Sequence, residues 1–188
     1  MKKTVEQIFA ESIEVKQATL KKNLPQIVAA AESMISAIKG GHKLFFCGNG
    51  GSAADSQHIA AEFIGRFQKE RKAWPAIALT TDSSALTALG NDYTFDIVFS
   101  RQLQALGQKG DVLIAISTSG NSKNVLEAVK EAKKIGITSV GVTGGSGGPL
   151  AALCDIPIIA ASTKTARIQE SHLVIFHSIC ELVENTLA

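Results

Sequence analysis

The chain has 188 residues, of which 45% are apolar and 19% charged, with a net charge of +2. That is enough chain for one domain with a full core, and it is too apolar for a disordered segment. No basic run is long enough to follow a nucleic acid, since Lys69-Glu70-Arg71-Lys72 is short and mixed and reads as a solvated helix end. No apolar run approaches the ~20 residues of a membrane span. Lys2-Lys3 is followed by Glu6, Glu11 and Glu14, which interrupt any signal-peptide core. Cys47, Cys154 and Cys180 are sparse, lie in apolar runs and form no C-x-x-C pair. They read as buried thiols, which fits a cytoplasmic location.

Residues 3–22 carry Val5, Phe9 and Ile13 at i+4 spacing with Ile8 alongside, which predicts a helix. Asn23-Leu24-Pro25 is expected to break it, with Pro25 in the first turn of a second helix that runs to about Ile38 and stops at Gly40-Gly41. Leu44 to Cys47 reads as a buried strand, followed by a glycine turn and a helix opened by Ser52 and running to about Glu70. Ala76 to Thr80 is a second strand. Thr81 to Ser84 caps a short helix through Leu89, Gly90 to Tyr93 is a turn, and Phe95 to about Leu106 a further helix. Strands over Val112–Ser117, Thr138–Val142 and Ile156–Ala160 alternate with an amphipathic helix ending near Lys134, a loop from Thr143 to Gly148 and a helical turn from Pro149 to Leu153. Ser162 to Thr165 caps a last helix to about Leu187. Alternating strands and helices imply an α/β, three-layer, doubly wound fold: a five-stranded parallel sheet with extra N-terminal helices. The whole chain reads as one domain, with residues 1–40 its N-terminal helices and 41–188 its α/β core and C-terminal helix.

Two turns carry chemistry. Gly48-Asn49-Gly50-Gly51-Ser52 lies between strand and helix, where glycines admit close approach of a ligand and the free N–H groups attract an anion. The same residues fit a loose dinucleotide fingerprint or a plain βα turn, and no acidic residue follows at the ~20-residue spacing that a dinucleotide site needs. Ser117-Thr118-Ser119-Gly120-Asn121-Ser122 repeats the pattern with more hydroxyls than one cap requires. Two such turns at strand ends could bracket one phosphate. His58 and Glu62, four apart, share a helix face. They suit chemistry beside the anion, or an ordinary surface pair.

The run Leu173 to Cys180 is apolar nearly all round, so burial on all sides is expected, by a partner subunit where this domain cannot supply it. His177 lies within it, either as a satisfied core histidine or as part of a site. Gln169 stands eight residues earlier, about 80° around the helix, close enough in angle to face a common cavity.

Phe46-Cys47-Gly48-Asn49-Gly50-Gly51-Ser52, Ile116 to Ser122 and Ala166-Arg167-Ile168-Gln169-Glu170 together resemble the sugar isomerase (SIS) domain family over nearly the whole chain. Within it, the closest resemblance is to the branch that isomerises a seven-carbon ketose phosphate. The resemblance implies a homotetramer with sites between subunits. It implies conversion of sedoheptulose 7-phosphate to D-glycero-D-manno-heptose 7-phosphate through an enediol, the first step toward ADP- or GDP-heptose for lipopolysaccharide or other surface glycans. Substrate contacts carry over onto Asn49, Gly50, Gly51, Ser52, Glu62, Asn91, Asp92, Ser117, Thr118, Ser119, Ser122 and Gln169. One zinc per subunit carries over onto His58, Glu62, Gln169 and His177, and the acid/base pair onto Glu62 and His177. Ala166 departs from relatives that carry Asp before Arg-Ile-Gln. A neighbouring branch binds the bacterial replication initiator without catalysis and lacks the acid and base that this chain has at Glu62 and His177. Sugar-phosphate-sensing regulators of the family usually carry a DNA-binding segment, and this sequence has none.

Overall fold

The computed structural model describes residues 1–188. In chain order it runs α1 (Lys2–Lys39), β1 (Leu44–Gly48), α2 (Gly51–Ile64), β2 (Ala76–Ala78), α3 (Ser83–Asp92), a 3₁₀ turn (Phe95–Ile97), α4 (Ser100–Leu106), β3 (Val112–Ile116), α5 (Lys123–Ile135), β4 (Thr138–Gly144), α6 (Gly148–Leu153), β5 (Ile156–Ala160) and α7 (Thr165–Leu187). The five strands form one all-parallel sheet in the order β2-β1-β3-β4-β5. None of the helices is long and apolar enough to cross a membrane.

Strand periodicity divides the core between the two faces. Leu44, Phe46, Val112, Ile114 and Ile116 join the cluster beneath α1, α2 and α7. The alternate residues Phe45, Cys47, Leu113 and Ala115 join the cluster beneath α4, α5 and α6. Strands covered on both faces must be continuously apolar, and β1 and β3 are buried at every residue. Because the order changes direction at β1, with β2 on one side and β3 on the other, the crevice at the carboxyl ends of β1 and β3 is the switch point where such sheets hold ligands.

The two helices expected before residue 40 are one. Pro25 lies inside α1. Its missing N–H costs one helical bond, and Asn23 holds the chain in line there. The Asn23 amide donates to Thr19 O and Ile159 O (2.8 and 2.9 Å), and its Oδ1 accepts from Ile159 N (2.9 Å). The helix is thus stitched to the edge strand β5 at the point where proline weakens it.

Four other expectations are corrected. α2 stops at Ile64 rather than near Glu70, because Glu184 draws the following residues out of the helix, accepting from the N–H groups of Phe67, Gln68 and Lys69 (3.0, 2.7 and 2.9 Å). Gly90, Asn91 and Asp92 continue α3 instead of turning, and the helix expected from Phe95 is split into the 3₁₀ turn, capped by Thr94, and α4. α7 is not buried all round within one chain: Ile175, Phe176, Ile179 and Cys180 face the core, but Val174 is 47% exposed.

Candidate active site

The first turn joins β1 to α2. Gly50 is the residue before the helix, at φ +57°, in the left-handed region that favours glycine. Ser52, expected as the cap, instead sits within the first helical turn, buried, and its carbonyl accepts from Ser56 Oγ at 2.8 Å. No side chain caps this helix, so its positive end faces the crevice at β1 and β3. Gly51 is constrained from outside. A Cβ there would lie 2.2 Å from Gln169 Nε2, so any larger residue would push the α7 carboxamide back from the anion turn.

The second turn joins β3 to α5 at the same level, because Gly48 pairs with Ile116 in the sheet. Ser117 Oγ and Ser122 Oγ are 3.0 Å apart, Ser119 Oγ accepts from Asn121 N at 3.2 Å, and Asn121 Nδ2 donates to Ser119 O at 2.9 Å. Ser117 is buried, Thr118 and Ser122 half-buried and Ser119 exposed. Ser122 precedes α5 but gives it no side-chain cap, and its hydroxyl faces Ser117 instead. The two turns are linked by a pair of asparagines, of which only Asn49 was expected at the site. Asn49 Nδ2 donates to Asn124 Oδ1 at 2.8 Å, and Asn124 Nδ2 to Asn49 Oδ1 at 2.9 Å.

Lower on α2, His58 Nε2 lies 3.2 Å from Glu62 Oε1, and both side chains are partly exposed. From α7, the His177 ring meets His58 edge-on, with centroids 5.3 Å apart, and Phe67 flanks it at 5.7 Å. Gln169 therefore touches the start of α2 and His177 a point two turns on, so α2 and α7 run side by side in the same direction. That arrangement carries both α7 residues along one helix partner, as their angular spacing anticipates. Asp55, one turn before His58, has a buried, unpartnered Oδ2. Burial pushes its carboxyl up, and His58 pulls it partly back.

Behind the site, Glu184 and Arg71 form a buried pair, with Nε to Oε1 at 3.1 Å. Arg71 also donates to the carbonyls of Glu62, Phe63, Gly65 and Lys72 and stacks on Trp74 at 3.6 Å. Burial raises the Glu184 carboxyl, but the N–H groups of Lys69, Gln68 and Phe67 and the Arg71 guanidinium outweigh it and hold the group below the ordinary carboxylate range. Sequence reading placed Arg71 in a solvated helix end, which its burial outside any helix overturns, and passed over Glu184, Phe67 and Asn124. Their signals are long-range pairings that no local motif encodes.

The chain brings together most of the residues expected at the site, but not all. Asn91 and Asp92 sit on the exposed end of α3, bonded to one another (2.9 Å), with no side-chain hydrogen bond to either turn. Glu62 follows Ser52 by ten residues, about 15 Å along the helix axis. The largest cavity, of about 520 Å³, is elsewhere, between α1 and the segments after β4 and β5, lined in part by Glu11, Glu14, Gly145 and Lys164.

The donors at His58, Glu62, Gln169 and His177 are nitrogen and oxygen only, a set that suits zinc. His58 and Glu62 are already in contact and His177 adjoins them, while Gln169 stands nearer the anion turn. No three His, Cys, Asp or Glu side chains form a ready-made cradle, so a metal held here would have to draw them in by side-chain rotation.

Residues 7–144 match the SIS domain family. The phosphoheptose isomerase of Clostridium acetobutylicum is 51% identical over 189 aligned positions, covering all of this chain and 96% of the relative. The structure of a phosphoheptose isomerase from Neisseria gonorrhoeae superposes with a TM-score of 0.92 at 47% identity, over 98% of each chain. One from Francisella tularensis does so at 0.93 and 39% identity, over 97% of each.

Proposed function

The chain belongs to the SIS domain family and is an isomerase of its phosphoheptose isomerase branch, and from that premise we propose that it converts sedoheptulose 7-phosphate to D-glycero-D-manno-heptose 7-phosphate in the cytoplasm, feeding heptose into lipopolysaccharide or another surface glycan. The observation that carries this reading is the placement of two uncapped, hydroxyl-rich helix starts, those of α2 and α5, at the β1/β3 crevice, with a His/Glu/His cluster further along α2 where α7 packs on it. The non-catalytic, initiator-binding alternative has less behind it, because Glu62 and His177 are both present and both face the shared α2/α7 seam.

In the proposed mechanism, Ser52 and the Ser117–Ser122 turn bind the 7-phosphate through hydroxyls and backbone N–H groups. The Glu62 carboxylate takes a proton from C1, electrons move into the C1–C2 bond, and O2 takes up a proton from His177 to give the cis-enediol. His177 then removes the O1 proton while the proton held by Glu62 is returned at C2, leaving an aldehyde at C1. Zinc, one per subunit and held by His58, Glu62, Gln169 and His177, would supply electrophilic stabilisation of the oxygen that gains charge.

We further propose that the working unit is a homotetramer with sites between subunits. The outward face of α1 supports an unfilled partner surface, since Val5, Phe9, Ile13, Leu20, Leu24 and Val28 are all exposed. The ~15 Å from Ser52 to Glu62 supports sharing too. An extended heptulose phosphate spans roughly 10 Å from C1 to phosphorus, eight bonds advancing about 1.25 Å each along a zigzag chain, so Glu62 lies near the limit of what one substrate molecule can reach from its own chain's turn. Asn91 and Asp92, exposed in the single chain, would then be free to serve a neighbour's site.

Purified protein incubated with sedoheptulose 7-phosphate in deuterium oxide should yield an aldoheptose phosphate labelled at C2. No aldose product would overturn the reading, and a product that retains all substrate hydrogen would replace free exchange at Glu62 with a shielded proton or a hydride shift. Protein purified without chelator should carry about one zinc per chain. Full activity after chelation, with no metal detected, would reject the metal's part.

A further inference from the structure

The reciprocal amide pair across the switch point has a role beyond packing. Asn49 is the first residue after β1, and Asn124 is the second residue of α5. Their two hydrogen bonds, at 2.8 and 2.9 Å, join the first anion turn to the second across the crevice. The orientation of both amides is fixed by the backbone. Val125 N donates to Asn124 Oδ1 at 3.0 Å, so that atom is the oxygen. Asn49 must then present its amino group to Asn124 Oδ1 and its own oxygen to Asn124 Nδ2. Asn124 is 3% exposed, so its amide is committed to these bonds and not to solvent.

The location imposes a requirement on the linker. α2 and α5 both direct their positive ends at the crevice, and neither has a side-chain cap. Without an anion the two ends repel each other. A carboxylate holding them together would occupy the anion's electrostatic place, and a cation would add to the repulsion. A neutral, self-complementary amide pair holds the gap without doing either. We propose that Asn124 is a positioning residue for the phosphate of the substrate: clasped to Asn49, it sets the distance between the two phosphate turns before substrate arrives. This rests on the phosphate-binding reading above. Preorganisation of this kind appears as affinity rather than as chemical rate, because the reacting carbons are remote from the clasp.

The test is steady-state kinetics on Asn124→Ala, Asn124→Asp, Asn49→Ala and the Asn49→Ala/Asn124→Ala double variant, each with its thermal midpoint, and with Ser119→Ala as reference. Asn124→Ala should raise KM about tenfold, the worth of the two hydrogen bonds, with kcat within about twofold of wild type. Competitive inhibition by inorganic phosphate should weaken in parallel. Asn124→Asp keeps the acceptor for Val125 N and Asn49 Nδ2, so it should fold even where alanine does not. It should raise KM further still, because it loses one donor and places a negative charge at the anion site. The double variant should be no worse than the worse single, since either substitution opens the same clasp. A purely structural staple would lower the thermal midpoint and leave KM and phosphate inhibition of the folded variants unchanged, and that result overturns the proposal. If Ser119→Ala raises KM while the asparagine variants do not, the clasp alone is wrong. If none of these variants, Ser119→Ala included, changes KM, the phosphate reading itself falls.

Discussion

At the scale of single residues, the acid/base assignment predicts that Glu62→Gln and His177→Gln each lower kcat by about 10²–10⁴, the usual worth of a positioned proton-transfer group. Substrate should still bind to both, as measured by calorimetry or by protection against unfolding. A second residue controls stability rather than turnover. His172 is wholly buried, and its Nε2–H donates to Thr143 O at 3.0 Å while Nδ1 has no partner. Burial lowers its pKa to about 4, against a smaller opposing effect of the Thr143 carbonyl. The unfolded chain takes up that proton near pH 6.5 and the folded chain only near pH 4. Between those values the unfolded state binds more protons, so stability is full above the window and falls as pH falls through it, by roughly 3 kcal/mol in all. Urea midpoints measured from pH 7.5 to 4 should fall more steeply for wild type than for His172→Gln. At this scale the sequence was legible where chemistry repeats locally: Gly50, Gly51, the Ser117–Ser122 hydroxyls and the His58/Glu62 spacing are short-range patterns with a physical cause. Asn124 was not legible, because an asparagine in a first helical turn has many uses and its partner lies 75 residues away.

At the scale of elements, the segment after α2 is held by one carboxylate. Glu184 fixes the N–H groups of three consecutive residues and the guanidinium that closes over the carbonyls at the end of α2. Glu184→Ala leaves Arg71 buried without its counter-charge, which should cost about 3–5 kcal/mol. The loss is checked by a lower urea midpoint, with proteolytic nicking first between Gly65 and Trp74. The same interaction explains why the end of α2 was misread: helical periodicity continues past Ile64, and only a residue 117 positions from Phe67 ends it. Proline at 25 was misread for a related reason. Its local cost is real, but tertiary bonds from Asn23 to β5 outweigh it. β1 and β3 were legible to within a residue, because double-sided burial leaves a continuous apolar run that little else produces, while β2 stops two residues before and β4 two residues beyond the expected ends.

At the scale of the whole molecule, the exposed apolar row on α1 predicts association. Phe9→Glu, at a position 66% exposed in the single chain, should shift the protein to smaller species in sedimentation velocity without unfolding the α/β core. A wild type that sediments as a monomer at micromolar concentration would remove the tetramer from the proposal. The topology was legible from the alternation of elements, but the assembly was not, because an apolar helix face looks the same whether its own chain or another covers it. The placement of α1 also has a consequence in time. Its inner face lies along α7 and β5, both made well after it, and Asn23 bonds to β5 as well as to its own Thr19. At about 5–20 residues per second of synthesis, α1 precedes α7 from the ribosome by roughly ten to thirty seconds. Throughout that interval α1 lacks the α7 and β5 part of its cover, so closure of the core waits for α7.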